Sequence, residues 1–349
     1  MNLSDISAVL KPLFVVGENV GLIGQPGVGK TEFVRAFVET LRASDIRPEL
    51  AEPGDDSRPV RFVSIATTTK EAVDFAGLPQ VVNGRTTWCP PAWVPTGNEA
   101  CVVFLDEFPQ AELPTQLACQ KLIDRDLDGV AVSPRAVFIV AGNRPEDNAG
   151  ANEMPMHLRN RFAWFQVEVS AEQWVAWAEK NGVAPEVVEF IRFRPEMLNQ
   201  FDANSDGNAY ATPRSVKRFS DVFKACSPEQ VMPLAVAKLG AEWAAEFRQY
   251  CELYRRVPNV QQLLDNADTH PIPQEFGVQL ALSSAIVRHV KHDKSRTAAV
   301  LTVVERLMNS GAMEVGVKCL RDLAPIAPEI FQSPKGAQLF AKVAPLLRA

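Results

Sequence analysis

The sequence predicts an α/β fold, a parallel sheet covered by helices on both faces, followed by a region built of helices alone. Three observations carry that prediction. Apolar runs recur through the first half of the 349-residue chain, separated by helix-like patterns, as in sheets buried on both faces. The first run empties into a glycine-rich loop, "GQPGVGKT", that leads straight into a helical pattern. Beyond Ser170 the strand-like runs stop, and apolar residues recur at helical spacing.

Each element can be justified in turn. Residues 20–24 form a short apolar strand, and over residues 31–41 Phe33, Val34, Phe37 and Val38 share one helix face. "VRFVSIA" from Val60 is a second strand, after a loop rich in Pro, Gly and Asp. "ACVVFLDEF" from Ala100 is a third, apolar until Asp106 and Glu107. "AVFIVAGN" from Ala136 ends at Asn143, and "FAWFQVEV" from Phe162 is the last strand. Ser170 and Gln173 then make a capping box, with Trp174 and Trp177 following at helical spacing. Leu239, Trp243 and Phe247 form one apolar stripe, and Val300, Val303, Val304 and Leu307 another; both are expected to serve packing.

Bulk properties narrow the function. Hydrophobic content of 46% and charged content of 22% are those of an ordinary soluble globular protein. The net charge of −6 argues against a broad nucleic-acid-binding face. The only basic cluster, Arg288, Lys291, Lys294 and Arg296, reads as a solvated helix face. The N-terminus lacks the basic start and long apolar core of a signal peptide. The apolar stretch at residues 13–24 is interrupted by Glu18 and is too short to span a bilayer. A cytoplasmic location without membrane association is therefore expected. Cys89, Cys101, Cys119, Cys226, Cys251 and Cys319 show no C-x-x-C spacing, so reduced thiols, mostly buried, are expected. His289 and His292 could share a helix face, but no further ligand cluster accompanies them.

The chemistry sits at strand ends. Gly24, Gly29, Lys30 and Thr31 fit G-x-x-x-x-G-K-[ST], whose loop amides wrap a polyphosphate. The expected cradle is Gly24, Gln25, Pro26, Gly27, Val28, Gly29, Lys30, Thr31 and Glu32. Lys30 would reach the β- and γ-phosphates, and the Thr31 hydroxyl would bind Mg²⁺. Asp106 can hold Mg²⁺ through water, and Glu107 can orient and deprotonate an attacking water. Two adjacent carboxylates closing a buried strand are costly for folding alone. Asn143 can hydrogen-bond that water or the γ-phosphate. An ordinary Gly/Pro turn, and a turn beginning at Asn143, are the plain alternatives; the three motifs in series favour nucleoside-triphosphate chemistry.

The order of these motifs, followed by an arginine pair and "TPR", resembles the AAA+ ATPases, in particular their MoxR-like branch. The resemblance implies a P-loop AAA+ fold in which Asn143 is sensor 1. "MHLRNRF" offers Arg161, with Arg159 close behind, as the arginine that completes a neighbouring subunit's site. "ATPRSVKRF" resembles sensor 2, with Thr212 as N-cap, Pro213 as first helical residue and Arg214 aimed at the phosphates. Residues 74–95, "DFAGLPQVVNGRTTWCPPAWVP", resemble the branch's projecting second-helix insertion, and residues 124–137 the hairpin ahead of sensor 1. "EFIRFRPEMLNQF" and "GAEWAAEFRQY" resemble lid and C-terminal segments of ATPases whose relatives often work with a von Willebrand factor A domain protein. The motif match spans residues 20–220 and loosens toward Ala349.

By that resemblance residues 1–169 form the nucleotide-binding domain, 170–258 a helical lid and 259–349 a C-terminal extension. The implied protein is a Mg²⁺-dependent, chaperone-like remodelling ATPase, assembled as a homo-oligomeric ring or spiral, a hexamer by the family's habit. Two other classes stay open. A nucleic-acid motor or loader is disfavoured by the acidic balance, while a GTP-using restriction-type relative stays an alternative, because no residue here reads the base. A small-molecule P-loop kinase would not need Asn143, Arg161 and Arg214 in series.

Overall fold

In the computed structural model, which describes all residues but 128, 148, 149, 151, 153, 205, 206 and 345–349, the apolar runs of the first half become one parallel sheet. Residue 128 of the expected 124–137 hairpin, and residues 345–349 of the expected C-terminal segment, lie outside the described residues. The chain opens with α1 (Leu3–Val16), capped by the Asn2 side chain, which accepts from the Asp5 amide at 2.9 Å. β1 (Val20–Ile23) and, past the glycine loop, α2 (Lys30–Glu39) follow. Next come β2 (Arg61–Ala66), the short α3 (Val73–Ala76) and a hairpin of β3 (Leu78–Val82) and β4 (Arg85–Cys89). β5 (Cys101–Asp106) and α4 (Leu113–Ile123) precede a small hairpin, β6 (Asp126–Leu127) with β7 (Val130–Ala131). β8 (Ala136–Gly142), α5 (Met156–Arg159) and β9 (Ala163–Gln166) complete the α/β part.

The sheet order is β2-β5-β8-β1-β9, with every pairing parallel. β5 is buried except at Asp106, and β8 is buried throughout. That is why both read as unbroken apolar runs rather than alternating ones. Alternation along β5 still sorts the core into two. Val102 and Phe104 pack with Phe14, Val34 and Phe37 on one face. Val103 and Leu105 pack with Phe75, Phe108, Cys119 and Leu122 on the other. Each such side chain contributes about 1.5–3 kcal/mol of burial. An ion pair lies deep in this unit. The Arg135 guanidinium meets Asp55 at 2.6 Å and the Ile46 carbonyl at 3.1 Å, pinning the loop ahead of β2 to the start of β8. The Glu52 amide and Arg135 together hold the Asp55 carboxyl below the usual carboxylate range.

After β9 the described residues contain helices and no strand: α6 (Ala171–Lys180), α7 (Pro185–Phe193), α8 (Pro213–Ala225), α9 (Pro228–Leu239), α10 (Ala241–Arg255), α11 (Val260–Asp265), α12 (Phe276–His292), α13 (Thr297–Asn309), α14 (Met313–Leu323) and α15 (Pro334–Val343). The chain divides into two compact units, Met1–Asn181 with Glu196–Asp221, and Gly182–Pro195 with Val222–Ala349. In the second unit, Trp243 stacks on Phe247 and meets Phe190 edge-on, each at 5.0 Å between ring centres. Val300, Val303, Val304 and Leu307 of α13 are buried among Leu282, Ile286, Leu320 and Leu323. Among the described residues no helix is long and apolar enough to cross a membrane.

Four expectations need correction. Only half of the capping box forms: Ser170 accepts from the Gln173 amide at 3.3 Å, but the Gln173 side chain accepts from the Ser4 amide instead. The stripe Leu239–Trp243–Phe247 is buried but belongs to two helices, because Gly240 at φ 94°, ψ 162° ends α9 and begins α10. Three of the six cysteines are buried, two are half-buried and Cys89 is exposed. The basic cluster is not one open face: Lys294 pairs with Glu329 at 3.5 Å, Arg296 with Asp265, and Arg288 donates to the Tyr254 hydroxyl.

Candidate functional site

A parallel sheet delivers its carboxyl ends to one edge, where open α/β folds bind ligands. β1 ends at Ile23, and the Gly24 amide donates to the Gly142 carbonyl at 3.2 Å, holding the start of the loop against the end of β8. The loop then turns through Gly27 (φ 78°) and Gly29 (φ 99°), conformations that glycine adopts without strain. A Cβ on Gly27 would also lie 2.7 Å from the Thr212 hydroxyl. α2 starts at once, so its first amides, which have no intrahelical partner, and its positive dipole end face the loop. Val28 is packed into the core, Gln25 and Pro26 are half-buried, and Glu32 is exposed in the first turn.

Lys30 is buried, with Nζ 2.6 Å from the Gly24 carbonyl, 3.1 Å from the Gln25 carbonyl and 3.3 Å from Asn143 Oδ1. Burial lowers its pKa from 10.5 to about 8; Asp106 and Asp147 oppose that fall, while Arg214 and Arg144 add to it. Beside it, the Thr31 hydroxyl donates to Asp106 Oδ2 at 2.6 Å. Hydroxyl and carboxylate oxygens are hard donors, so this pair fits Mg²⁺, which keeps several waters and takes few protein ligands.

Glu107 has φ 56° and ψ 30°, a left-handed backbone in a residue that is not glycine. The turn separates two adjacent carboxylates: Asp106 faces Thr31, whereas Glu107 accepts from the Thr68 hydroxyl. Thr67 closes the corner by donating to the Asp106 carbonyl at 2.8 Å. Such backbone conformations cost roughly 1–3 kcal/mol and concentrate at functional sites. Past Asn143, Arg144 forks onto Asp147 at 2.7 and 3.1 Å, which raises the guanidinium pKa.

The returning segment of the first unit closes the loop from the other side. Thr212 caps α8 by accepting from the Ser215 amide at 3.1 Å, and Pro213 is the first helical residue. The Arg214 amide donates to the Gly27 carbonyl at 3.1 Å, and Asn199 donates to the Gln25 side chain at 2.6 Å. Thus Lys30, Thr31, Asp106, Asn143 and Arg214 gather around one loop, with Glu107 next to Asp106. Arg159 and Arg161 do not join them. Arg161 holds Asp124 at 2.6 and 2.9 Å and the His157 carbonyl at 2.6 Å, and it keeps the Asp124 carboxyl below its usual range. Arg159 is exposed at the end of α5, its carbonyl accepting from Trp164.

Thr67, Thr68, Arg144, Asp147 and Asn199 were not legible as site residues. The run "TTTK" at the carboxyl end of β2, and an arginine directly after Asn143, carried a positional signal. Asn199 carried none, since it lies in an irregular stretch far along the chain.

Residues 19–162 match the family model described as the AAA domain (dynein-related subfamily). No curated protein matches the sequence. Among solved structures, a point mutant of RuvB from Thermotoga maritima is similar at 14% identity over 81% of this chain and 80% of that one, with a TM-score of 0.41. NtrX from Brucella abortus is similar at 12% identity over 88% of this chain and 62% of that one, with a TM-score of 0.38.

Proposed function

We propose that the chain, whose residues 19–162 match the model of the AAA domain (dynein-related subfamily), is a Mg²⁺-dependent ATPase of the MoxR type, which couples hydrolysis in a homo-oligomeric ring to remodelling of a protein partner. The observation that carries this reading is the convergence of a buried lysine, a Thr–Asp oxygen pair and a strained glutamate at one sheet edge. Lys30 balances charge on the β- and γ-phosphates, and the amides at the start of α2 hold their oxygens. Mg²⁺ held by Thr31 and Asp106 would supply further neutralisation of that charge. Glu107 turns from Thr68 to take the proton of the attacking water, which Asn143 orients. Arg214 reports from α8 on the terminal phosphate. Arg161, or Arg159 beside it, completes the site of the next protomer. In related systems such an arginine is worth ~10³–10⁵ in rate.

The β3–β4 hairpin is the element best suited to act on a partner. It exposes Leu78, Val81, Val82 and Trp88, a concentration of apolar surface that marks interaction sites. A von Willebrand factor A domain protein as partner and a hexameric stoichiometry rest on sequence resemblance, and a cytoplasmic location on the cysteine spacing. The functional division into nucleotide domain (1–169), lid (170–258) and C-terminal extension (259–349) rests on sequence resemblance as well.

Two substitutions test the chemistry. Glu107→Gln is expected to keep ATP binding and to hydrolyse ATP at least ~10²-fold more slowly, since the phosphate and metal ligands stay while the base is lost. Lys30→Ala is expected to lose nucleotide binding itself. Equilibrium binding and phosphate release measured on both variants decide the matter; near-normal turnover by Glu107→Gln removes that residue from the role.

A further inference from the structure

The second unit contains a cavity of about 450 Å³, walled by α12 on one side and by the end of α10 and residues 257–261 on the other. Ala285, Arg288, His289 and His292 recur at i, i+3, i+4 and i+7, which places them on one face of α12, and all four line the cavity. A guanidinium and two imidazoles therefore share a wall. Arg288 is held in place: its guanidinium lies 5.8 Å from the centre of the Tyr254 ring and donates to the Tyr254 hydroxyl. His289 Nε2 is closed off from solvent and has no hydrogen-bond partner in the structure. No aspartate or glutamate is among the lining residues, whereas Val257 and Pro258 give the wall an apolar part.

We propose that this cavity binds a small organic anion, its carboxylate or phosphate oxygens on Arg288 and His292 and its apolar body against Val257 and Pro258. The fixed guanidinium supplies a planar pair of donors, which suits an oxyanion better than a point charge would. The volume lies within the range of small-molecule sites. This assignment is independent of the ATPase reading, because every lining residue belongs to the second unit.

The test titrates full-length protein with benzoate, phenyl phosphate and neutral benzyl alcohol by calorimetry, in the wild type, Arg288→Gln and His292→Gln. Any phosphate binding at the glycine loop is common to all three proteins and cancels in the comparison. His292→Gln lies at the exposed rim, so it keeps the test sound if Arg288→Gln fails to fold. Saturable binding of at least one anion, weakened tenfold or more in both folded variants and missing for benzyl alcohol, is the expected result. The tighter of the two anions then identifies the head group. Equal binding by wild type and variants, equal binding of benzyl alcohol, or no saturable binding of either anion overturns the proposal.

Discussion

Lys30 shows how much one buried side chain can state about chemistry. Its pKa falls from 10.5 to about 8, with burial as the largest cause. Between those values the unfolded chain holds a proton that the folded chain has released. Folding stability should thus rise with pH across that window, and the full cost of burying the cation is present below about pH 8. Bound phosphates would restore the charge. ATP binding is therefore expected to draw a proton from the buffer at about pH 8.5 and almost none at about pH 6.5. Calorimetry in two buffers of different ionisation heat measures this directly, and uptake that is equal at both values would point to another group. Lys30, Thr31, Asp106 and Asn143 were readable from sequence because local spacing fixes the loop and apolar runs mark the strand ends. The partner of Glu107 was not. Thr68 reaches it only because β2 pairs beside β5, and strand order is set by the whole sheet.

At the scale of elements, periodicity found helices and missed their joints. Leu239, Trp243 and Phe247 keep a spacing of four across a break, since Gly240 redirects the chain without moving the apolar face off the core. Gly240→Ala is expected to cost about 1–3 kcal/mol, because φ 94° with ψ 162° is open essentially to glycine alone. A denaturant midpoint equal to the wild type would mean that α9 and α10 can fuse. The β3–β4 hairpin gives the opposite expectation. Leu78 is 62% and Val81 77% exposed, so replacing both by serine should change stability by no more than about 0.5 kcal/mol per site. Basal ATP turnover should hold as well. A large fall in melting temperature would show that the hairpin serves the fold rather than a partner. Its presence was legible from sequence resemblance, whereas its exposure is a property of what packs against it.

At the scale of the whole molecule, the proposed trans-acting arginine would tie chemistry to assembly. Arg161→Ala protomers retain Lys30 and Glu107, and Glu107→Gln protomers retain their arginines. Mixed rings are expected to regain turnover that neither variant has alone, with Arg159→Ala run alongside. The grip of Arg161 on Asp124 must break for this, so Asp124→Asn should leave turnover intact or raise it if Arg161 is the residue. Failure of both arginine variants to be complemented in verified mixed rings means that each site is completed within one chain. The path of the polypeptide has a separate consequence. It passes between its units at Asn181–Gly182, Pro195–Glu196 and Asp221–Val222. Asn199, Thr212 and Arg214, which close on the glycine loop, all lie on the returning stretch. Genetic exchange with a breakpoint in 182–195 would inherit the loop, both carboxylates and Asn143, yet leave Gln25 and Gly27 without their partners. A cassette that kept the proposed site whole would have to carry Glu196–Asp221 along with Met1–Asn181.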